Sequence, residues 1–264
     1  MLPQRCSVLL DETRNAADII GIIGCVGAEE NSQIERIKLK REREWDMNKE
    51  WSELNKTMQA QIKKKDTYKM GIDTLFNLRR QLMQTLVSFK EDLCREDFNA
   101  IPFINADGYH SKTIAYSIWH IFRIEDIVAH TVITEDEQVF FTGNYQVRIN
   151  SPIITTGNEL VKQQIADFSK QLNLEELYSY IFEVRESTEK ILERFSYDEL
   201  KWKIPDERKG YLKSLNVVNC DEKAIWLIDY WCSKDIRGLI QMPFSRHWIM
   251  HTEACLRIKN KMHS

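Results

Sequence analysis

The fold is indicated by one stretch near the middle of the chain, residues 113–133, which reads TIAYSIWHIFRIEDIVAHTVI. Its apolar residues recur at intervals of three and four and cover much of a helix circumference. They are Ile114, Ile118, Ile121, Phe122, Ile124, Ile127, Val128 and Val132. A helix that is apolar on so many sides is buried among other elements. We therefore expect residues 113–133 to form a buried helix, with Ser111 or Thr113 as its N-cap.

Amphipathic patterns elsewhere in the chain predict the helices that would cover this one. Apolar residues at helical spacing indicate further helices over residues 67–93, 174–196, 221–240 and 244–262. Apolar stripes of this kind are stable when they cover one another, as in a bundle. The predicted fold class is all-α: a four-helix bundle with a long crossover, residues 134–172, between its second and third helices and with 221–240 as an additional packed helix.

The composition argues against the main alternatives. The chain of 264 residues has only 9 glycines and 5 prolines, too few for the frequent turns of a β-sandwich or barrel. It has no GxGxxG or GxxxxGK[ST] pattern, so a nucleotide-binding doubly wound sheet is not indicated. With 37 basic and 40 acidic residues the net charge is −3, and a nucleic-acid partner is not expected.

The cysteines point to a reducing compartment. No two of them form a CxxC pair or another short paired spacing, so neither a disulfide framework nor a zinc knuckle is indicated. We expect six reduced thiols in a cytoplasmic protein: Cys6, Cys25, Cys94, Cys220, Cys232 and Cys255.

The first part of the chain differs in character from the rest. Residues 1–66 are expected to form a charged helical N-terminal extension that precedes a bundle domain over residues 67–264. Mixed charges with sparse apolar residues in 29–66 favour a solvated helix with a narrow buried stripe over a basic binding arm. Residues 1–46 should therefore contribute little to core stability. An alternative is that natural translation begins at Met47.

No membrane partner is expected. The longest apolar run, residues 19–28, is far shorter than the roughly 20 residues that a spanning helix needs. Residues 22–25 read IIGC, like a lipoprotein cleavage box, but Asp11, Glu12 and Asp18 interrupt the region that should be apolar. A short helical segment is therefore favoured over a lipid anchor.

Three histidines form the candidate functional site. His247 and His251 are four residues apart, so they share one face of the predicted last helix, together with Ala254. Buried imidazoles need a ligand or a hydrogen-bond partner, and a divalent ion is one solution; two partly exposed histidines near a helix start are the other interpretation. His120, at the edge of the buried arc of residues 113–133, would complete a three-ligand site with an open position.

The remaining histidines are not expected to contribute to this site. They are His110, His130 and His263.

The string around His120 also resembles a known family. Residues 113–126, TIAYSIWHIFRIED, are similar to the W-H-[IL]-x-R-[IV]-E-D segment in the second helix of DinB-like (DinB/YfiT-type) proteins. The resemblance covers roughly residues 67–262. In that superfamily a histidine of the second helix and an HxxxH near the chain end bind one metal inside a four-helix bundle. The resemblance implies that His120, His247 and His251 bind a divalent ion, with Zn²⁺, Ni²⁺ and Fe²⁺ not distinguished.

The resemblance further implies a metal-dependent enzyme. The expected activities are a thiol-dependent transfer that uses a low-molecular-weight thiol, or hydrolysis of a small-molecule substrate; no catalytic residue is assigned, and a homodimer is left open. Many members continue the last helix as H-x-x-x-H-x-x-H-H-R-G-Q, whereas residues 252–258 here read TEACLRI. The alternative is a non-catalytic DinB-like binding or stress-associated protein, with residues 29–66 as its partner-contacting arm.

Three other expectations concern polar and aromatic residues in the predicted helices. Glu125 lies within the apolar arc, so we expect a buried ion pair with an arginine or a bond to a backbone donor, rather than a proton-transfer role. Cys255, one turn after His251, is expected to be a buried inert thiol. Core positions, rather than a stacking platform, are expected for the tryptophans: Trp119, Trp202, Trp226, Trp231 and Trp248.

Overall fold

The structure, a computed structural model, describes residue 35 and residues 46–263 of the chain. The chain divides into two compact units, Met1–Lys49 and Glu50–Ser264. In the first unit, residues 35 and 46–49 are described, and they are helical. The expectations for the apolar run, for the lipoprotein box and for most of the charged run fall on residues that the structure does not describe.

The second unit is built from helices, which confirms the all-α class; no strand occurs among its described residues, where Lys203 and Asp235 form one isolated antiparallel bridge. The first helix, α1, covers residues 50–61 of this unit. The others are α2 (Tyr68–Asp92), α3 (Arg95–Asn99), α4 (Ile114–Asp126), α5 (Val139–Thr142), α6 (Tyr145–Ile149), α7 (Gln163–Gln171), α8 (Leu174–Arg194), α9 (Glu207–Ser214), α10 (Glu222–Cys232), α11 (Ile236–Gln241) and α12 (His247–Met262). Two segments are π-helical, Ile127–Thr134 after α4 and Met242–Arg246 before α12.

Four long helices pack around one another. Helix α2 contacts α8, α8 contacts α4, α4 contacts α12, and α12 contacts α2. Their bounds agree with the predicted ones to within three residues when each π-helical segment is counted with its helix. Every residue of α4 is buried, as its sequence predicts, and Thr113 caps it by accepting a hydrogen bond from the Tyr116 amide at 3.1 Å.

The sequence predicts one continuous helix over residues 221–240. This prediction is wrong, because the segment forms two helices, α10 and α11. Helix α10 ends at Cys232, and α11 begins after Asp235, whose carboxylate accepts a hydrogen bond from the Gly238 amide at 2.7 Å. An aspartate that satisfies a free amide in this way starts a new helix. Helix α9 occupies residues 207–214, between the predicted helices over 174–196 and 221–240.

The tryptophan prediction holds for three of the five side chains. Trp119, Trp231 and Trp248 are fully buried, whereas Trp202 and Trp226 are 58% and 50% exposed. For these two residues the core prediction is wrong. Trp226 lies on α10 and Trp202 in the loop before α9, and sequence periodicity does not reveal which side chains of such late segments are left exposed.

Helix α1 packs on the bundle through its apolar stripe. Trp51, Met58 and Ile62 are buried, and the last two belong to a hydrophobic cluster that includes residues of α2. Ile62, the residue after α1, approaches α2 closely at Gly71, where an added Cβ would lie 2.5 Å from a side-chain carbon of Ile62. Residues 50–66, which the sequence pattern assigns to the extension, are therefore counted here with the second unit.

None of the helices in the described residues has the length and apolar character needed to cross a membrane.

Candidate metal centre

Two packed helices bring the three predicted histidines together. His120 lies in the middle of α4, His247 is the first residue of α12, and His251 follows one turn later. One ligand-capable atom from each side chain lies within 4.8 Å of those of the other two. The ring centroids are 4.6–5.0 Å apart. This group could hold a metal ion, although the nitrogens would have to draw closer, to roughly 3–4 Å, for bonds of normal Zn–N length.

Burial keeps these imidazoles neutral. The three side chains are nearly inaccessible, and burial lowers the pKa of His247 to about 4. Burial, and secondarily the neighbouring His247, lower the pKa values of His120 and His251 well below the usual value of histidine. Neutral imidazole is the form that ligates metals, so the site is in its ligating state at neutral pH without loss of a proton.

The hydrogen bonds of the imidazoles leave nitrogens available. The Nδ1 of His120 lies 2.6 Å from the Thr156 carbonyl oxygen, which can only accept, so Nδ1 carries the proton and Nε2 keeps its lone pair. The Nδ1 atoms of His247 and His251 are buried and have no hydrogen-bond partner among the described residues. Unpaired buried polar atoms are costly, and an ion ligated through these two Nδ1 atoms would remove this cost.

The segment that orients His120 is itself fixed by α4. Arg123, one turn after His120, donates two hydrogen bonds to the Ile154 carbonyl at 3.0 and 2.8 Å. Thr156 follows two residues later in the long crossover. A carbonyl that fixes the tautomer and rotation of a ligating histidine is a common element of metal sites. The arginine of the WHIFRIED string is thus a positioning residue for the crossover.

The next residue of the crossover, Gly157, also packs closely against α4. Gly157 has φ +75°, and an added Cβ would lie 2.8 Å from the Trp119 ring. Its carbonyl accepts a hydrogen bond from the Tyr116 hydroxyl at 2.9 Å, and the Tyr116 ring stacks on His120. Only a residue without a side chain allows both the left-handed backbone and this close approach.

Glu125 forms the predicted ion pair. Its two carboxylate oxygens accept hydrogen bonds from Arg79 at 2.7 and 2.9 Å, and both side chains are fully buried. The Trp248 indole donates a further hydrogen bond to it at 2.7 Å. The prediction of a buried interhelical ion pair is confirmed, and Glu125 is not part of the histidine group.

The last residue of the string has a structural function as well. The carboxylate of Asp126 accepts hydrogen bonds from the amides of Val139 and Phe140 at 2.9 and 2.8 Å, at the start of α5. The Tyr180 hydroxyl donates another at 2.9 Å. Asp126 therefore fixes the beginning of the crossover to α4.

The other histidines lie outside the group, as predicted. Both nitrogens of His130 are engaged, Nδ1 with Asp136 at 2.7 Å and Nε2 with the Ser187 hydroxyl at 3.0 Å. His110 contacts the Arg257 guanidinium, and His263 pairs with Asp97.

Cys255 is the buried thiol that the sequence predicts. Burial raises its pKa to about 12, so the reactive thiolate is not populated at neutral pH.

Two cavities meet at the histidine group. The larger, of about 660 Å³, has a mixed polar and apolar lining in which His120 and His251 are joined by three lysines that sequence reasoning missed: Lys112, Lys162 and Lys223. The smaller, of about 320 Å³, is mostly apolar and touches all three histidines. Lysine is common on surfaces, and these three are separated by 50 residues or more along the chain, so no local pattern identifies them.

No family model matches this chain, and no curated protein matches it at a significant level.

Proposed function

We propose that this chain is a DinB-like metal-dependent enzyme in which His120, His247 and His251 bind one divalent ion. The observation that carries the proposal is the combination of two partnerless buried imidazole nitrogens with a third histidine whose tautomer leaves Nε2 free. The order of the four packed helices, and the origin of the histidines from α4 and α12, support the DinB-like assignment.

The proposed reaction class is a thiol-dependent transfer or the hydrolysis of a small molecule. A divalent ion with three protein ligands supplies a Lewis acid that lowers the pKa of a water or thiol at its open position. Three nitrogen ligands accept Zn²⁺, Ni²⁺ or Fe²⁺, so the donor set does not select the metal.

The chain's own residues prepare such a site in two ways. The Thr156 carbonyl holds His120 in one orientation, which reduces the reorganisation needed when a ligand binds. The two cavities adjoin each other at His120 and His251 and provide space for a substrate and, in a transfer reaction, for a second reactant. Neither the carboxylate of Glu125 nor the thiol of Cys255 takes part, because each is buried in its own contacts.

The same geometry favours an enzyme over a binding or stress-associated protein with this fold. A bundle that has kept only its fold needs no converging imidazoles, and a core position would be filled by apolar or fully hydrogen-bonded side chains. Here the imidazoles converge and adjoin open space, which supports a site with room for a reactant.

The test is metal content followed by activity. We expect the purified full-length chain to hold about one divalent ion, measured by inductively coupled plasma mass spectrometry. His120→Ala, His247→Ala and His251→Ala should each lose it, together with any activity in a screen of thiol-transfer and hydrolysis reactions. Helicity should remain, because the apolar stripes supply most of the stability.

His130→Ala is the matched control, since His130 is equally buried but bonded through both ring nitrogens. It should retain the metal. Full metal stoichiometry in His120→Ala would contradict the proposal and leave the binding-protein alternative as the better one.

A further inference from the structure

The larger cavity beside the histidines is positively charged. Three lysines line it, against a single acidic residue, Asp107. A cavity lined by an excess of one charge attracts ligands of the opposite charge, and its low-dielectric walls strengthen the effect.

Lys112 is the lysine most closely connected to the histidine group. It immediately precedes the cap of α4, and its ammonium lies 5.0 Å above the Tyr116 ring, which stacks on His120. Burial and the charge of Lys223 lower the pKa of Lys112 to about 8, and no described carboxylate pairs with it. A partly buried ammonium without a counter-charge is stabilised by an anion that enters the cavity.

Lys162 approaches the same cavity from the crossover. Its backbone has φ +49° and ψ −121°, a conformation that residues with side chains rarely adopt, immediately before α7. Such strain persists where surrounding contacts impose it, and it is often found at binding sites. Lys223, in the first turn of α10, supplies the third charge, so the ammonium groups come from three separate elements.

The smaller cavity is mostly apolar rather than charged. Besides the histidines, its lining is dominated by apolar side chains, among them Ile124, Trp226, Leu227, Trp231 and Met250. Both cavities share His120 and His251. The half-exposed Trp226, which contradicts the core prediction, lies in this lining.

We infer that the natural substrate of this site is a small anionic amphiphile, with a carboxylate or phosphate held by Lys112, Lys162 and Lys223 and an apolar body held beside Trp226 and Trp231. The inference deepens the proposed function and rests on it for the reacting centre. The part of the substrate that lies between its charged and apolar ends would then be next to the histidine group, where the chemistry is proposed to occur.

The test measures binding of simple probes to the full-length chain by isothermal titration calorimetry, with zinc-loaded and with chelator-treated protein. Octanoate and octyl phosphate combine an anion with an apolar body, whereas 1-octanol lacks the charge and acetate lacks the body. We expect one of the two amphiphiles, or both, to bind at least tenfold more tightly than either partial probe, and added NaCl to weaken the binding by screening. Equal affinity for octanoate, octyl phosphate and 1-octanol would overturn the inference.

Variants then test the residues. Lys112→Gln should weaken binding of the preferred amphiphile roughly tenfold, as expected for loss of a charge-assisted contact, while its effect on 1-octanol should be small. Lys190→Gln is the matched control, because Lys190 is an exposed lysine paired with Glu186 on α8. Equal effects of the two variants would contradict the inference.

Metal content separates this inference from the proposed function. Lys112→Gln should keep its bound metal and lose amphiphile binding, whereas His120→Ala should lose metal and keep lysine-dependent binding in the chelator-treated state. A chain that binds no metal but binds octanoate through Lys112 refutes the proposed function and retains the anion site. A chain that binds metal but shows no lysine-dependent binding of either amphiphile refutes the inference alone.

Discussion

Helices α4 and α12 carry two buried polar clusters that differ in how completely their polar groups are hydrogen-bonded. In the ion-pair cluster, Glu125 of α4 and Trp248 of α12 meet Arg79, and each oxygen of the carboxylate has a donor at 2.7–2.9 Å. In the histidine cluster, His247 and His251 keep buried nitrogens without a partner among the described residues. Neighbouring positions on the same two helices thus give one saturated cluster and one unsaturated cluster.

The difference separates a structural polar group from a candidate functional one. A cluster whose charged groups are paired with each other leaves no charge for a ligand to neutralise, and its contribution is to specify how the helices pack. An unsaturated cluster has an energetic cost that the fold must tolerate, and such exceptions are found where a ligand or ion completes the site. The comparison predicts different responses of the two clusters to mutation, metal and acid.

The largest expected effect is on the ion-pair cluster. Arg79→Met leaves Glu125 buried and unpaired, which should lower the free energy of unfolding by about 3–5 kcal/mol, as measured by urea denaturation. The double variant Arg79→Met/Glu125→Leu should recover a large part of this loss, because no unpaired charge remains. An unchanged unfolding free energy in Arg79→Met would contradict the buried ion pair between Arg79 and Glu125.

The histidine cluster should respond to metal instead. Zinc at about 100 times its Kd should raise the unfolding free energy of the full-length chain by about 2.7 kcal/mol, and a chelator should reverse this. His251→Ala should abolish the effect, whereas Arg79→Met should retain it under conditions where that variant is folded. Stabilisation by zinc that persists in His251→Ala would place the ion elsewhere.

Acid should destabilise the metal-free chain through the same histidines. The pKa of His247 is about 4 in the folded chain and near 6.5 when unfolded, so the unfolded state binds more protons between these values. Stability should therefore fall as the pH falls through this window, by about 2 kcal/mol at pH 5 from His247 alone.

The matched comparison is His247→Gln, which has no titrating group at this position. The difference in unfolding free energy between the wild-type chain and this variant, measured from pH 7 to pH 5, isolates the contribution of His247. If the unfolding free energies of the two chains changed with pH in parallel, the burial of a neutral imidazole at His247 would be contradicted.

The smallest expected effect belongs to His130, which resembles the ion-pair cluster in having its nitrogens occupied. His130→Gln should lower the unfolding free energy by on the order of 1 kcal/mol, the usual range for a hydrogen-bonded side chain. Metal content and zinc stabilisation should not change. A loss of zinc stabilisation in this variant would mean that paired and unpaired imidazoles are not functionally distinct in this chain.

The sequence predicted more of the long elements than of the short ones. Helices α2 and α8, and α4 together with its π-helical continuation, have strong three-four periodicity over several turns, and their bounds were predicted closely. The break between α10 and α11 was missed, because the apolar pattern continues through Asp235, and only the side-chain hydrogen bond by which Asp235 caps α11 marks the start of a second helix. Capping of this kind depends on local geometry that periodicity does not report.

For the candidate site, sequence alone identified the histidines but not their surroundings. HxxxH and the WHIFRIED string suggested His120, His247 and His251, since helical spacing determines which residues share a face. The contact of Thr156 with His120 spans 36 residues, and the lysines converge from three elements. Contacts between distant segments have no local signature in a single sequence.

The sequence by itself determined the helical class, the burial of α4 and the candidate ligands, because periodicity, hydrophobicity and spacing act within a few turns of one helix. Tertiary structure decided which buried polar groups are satisfied. Glu125 and His120 are both polar residues on a buried helix, and the sequence predicted a paired carboxylate and a ligand without identifying the side chains that surround them. Arg79 from α2 reaches one of them, whereas the other adjoins two cavities and two further imidazoles. Hydrogen-bond saturation depends on groups that arrive from other helices, and packing alone brings them together.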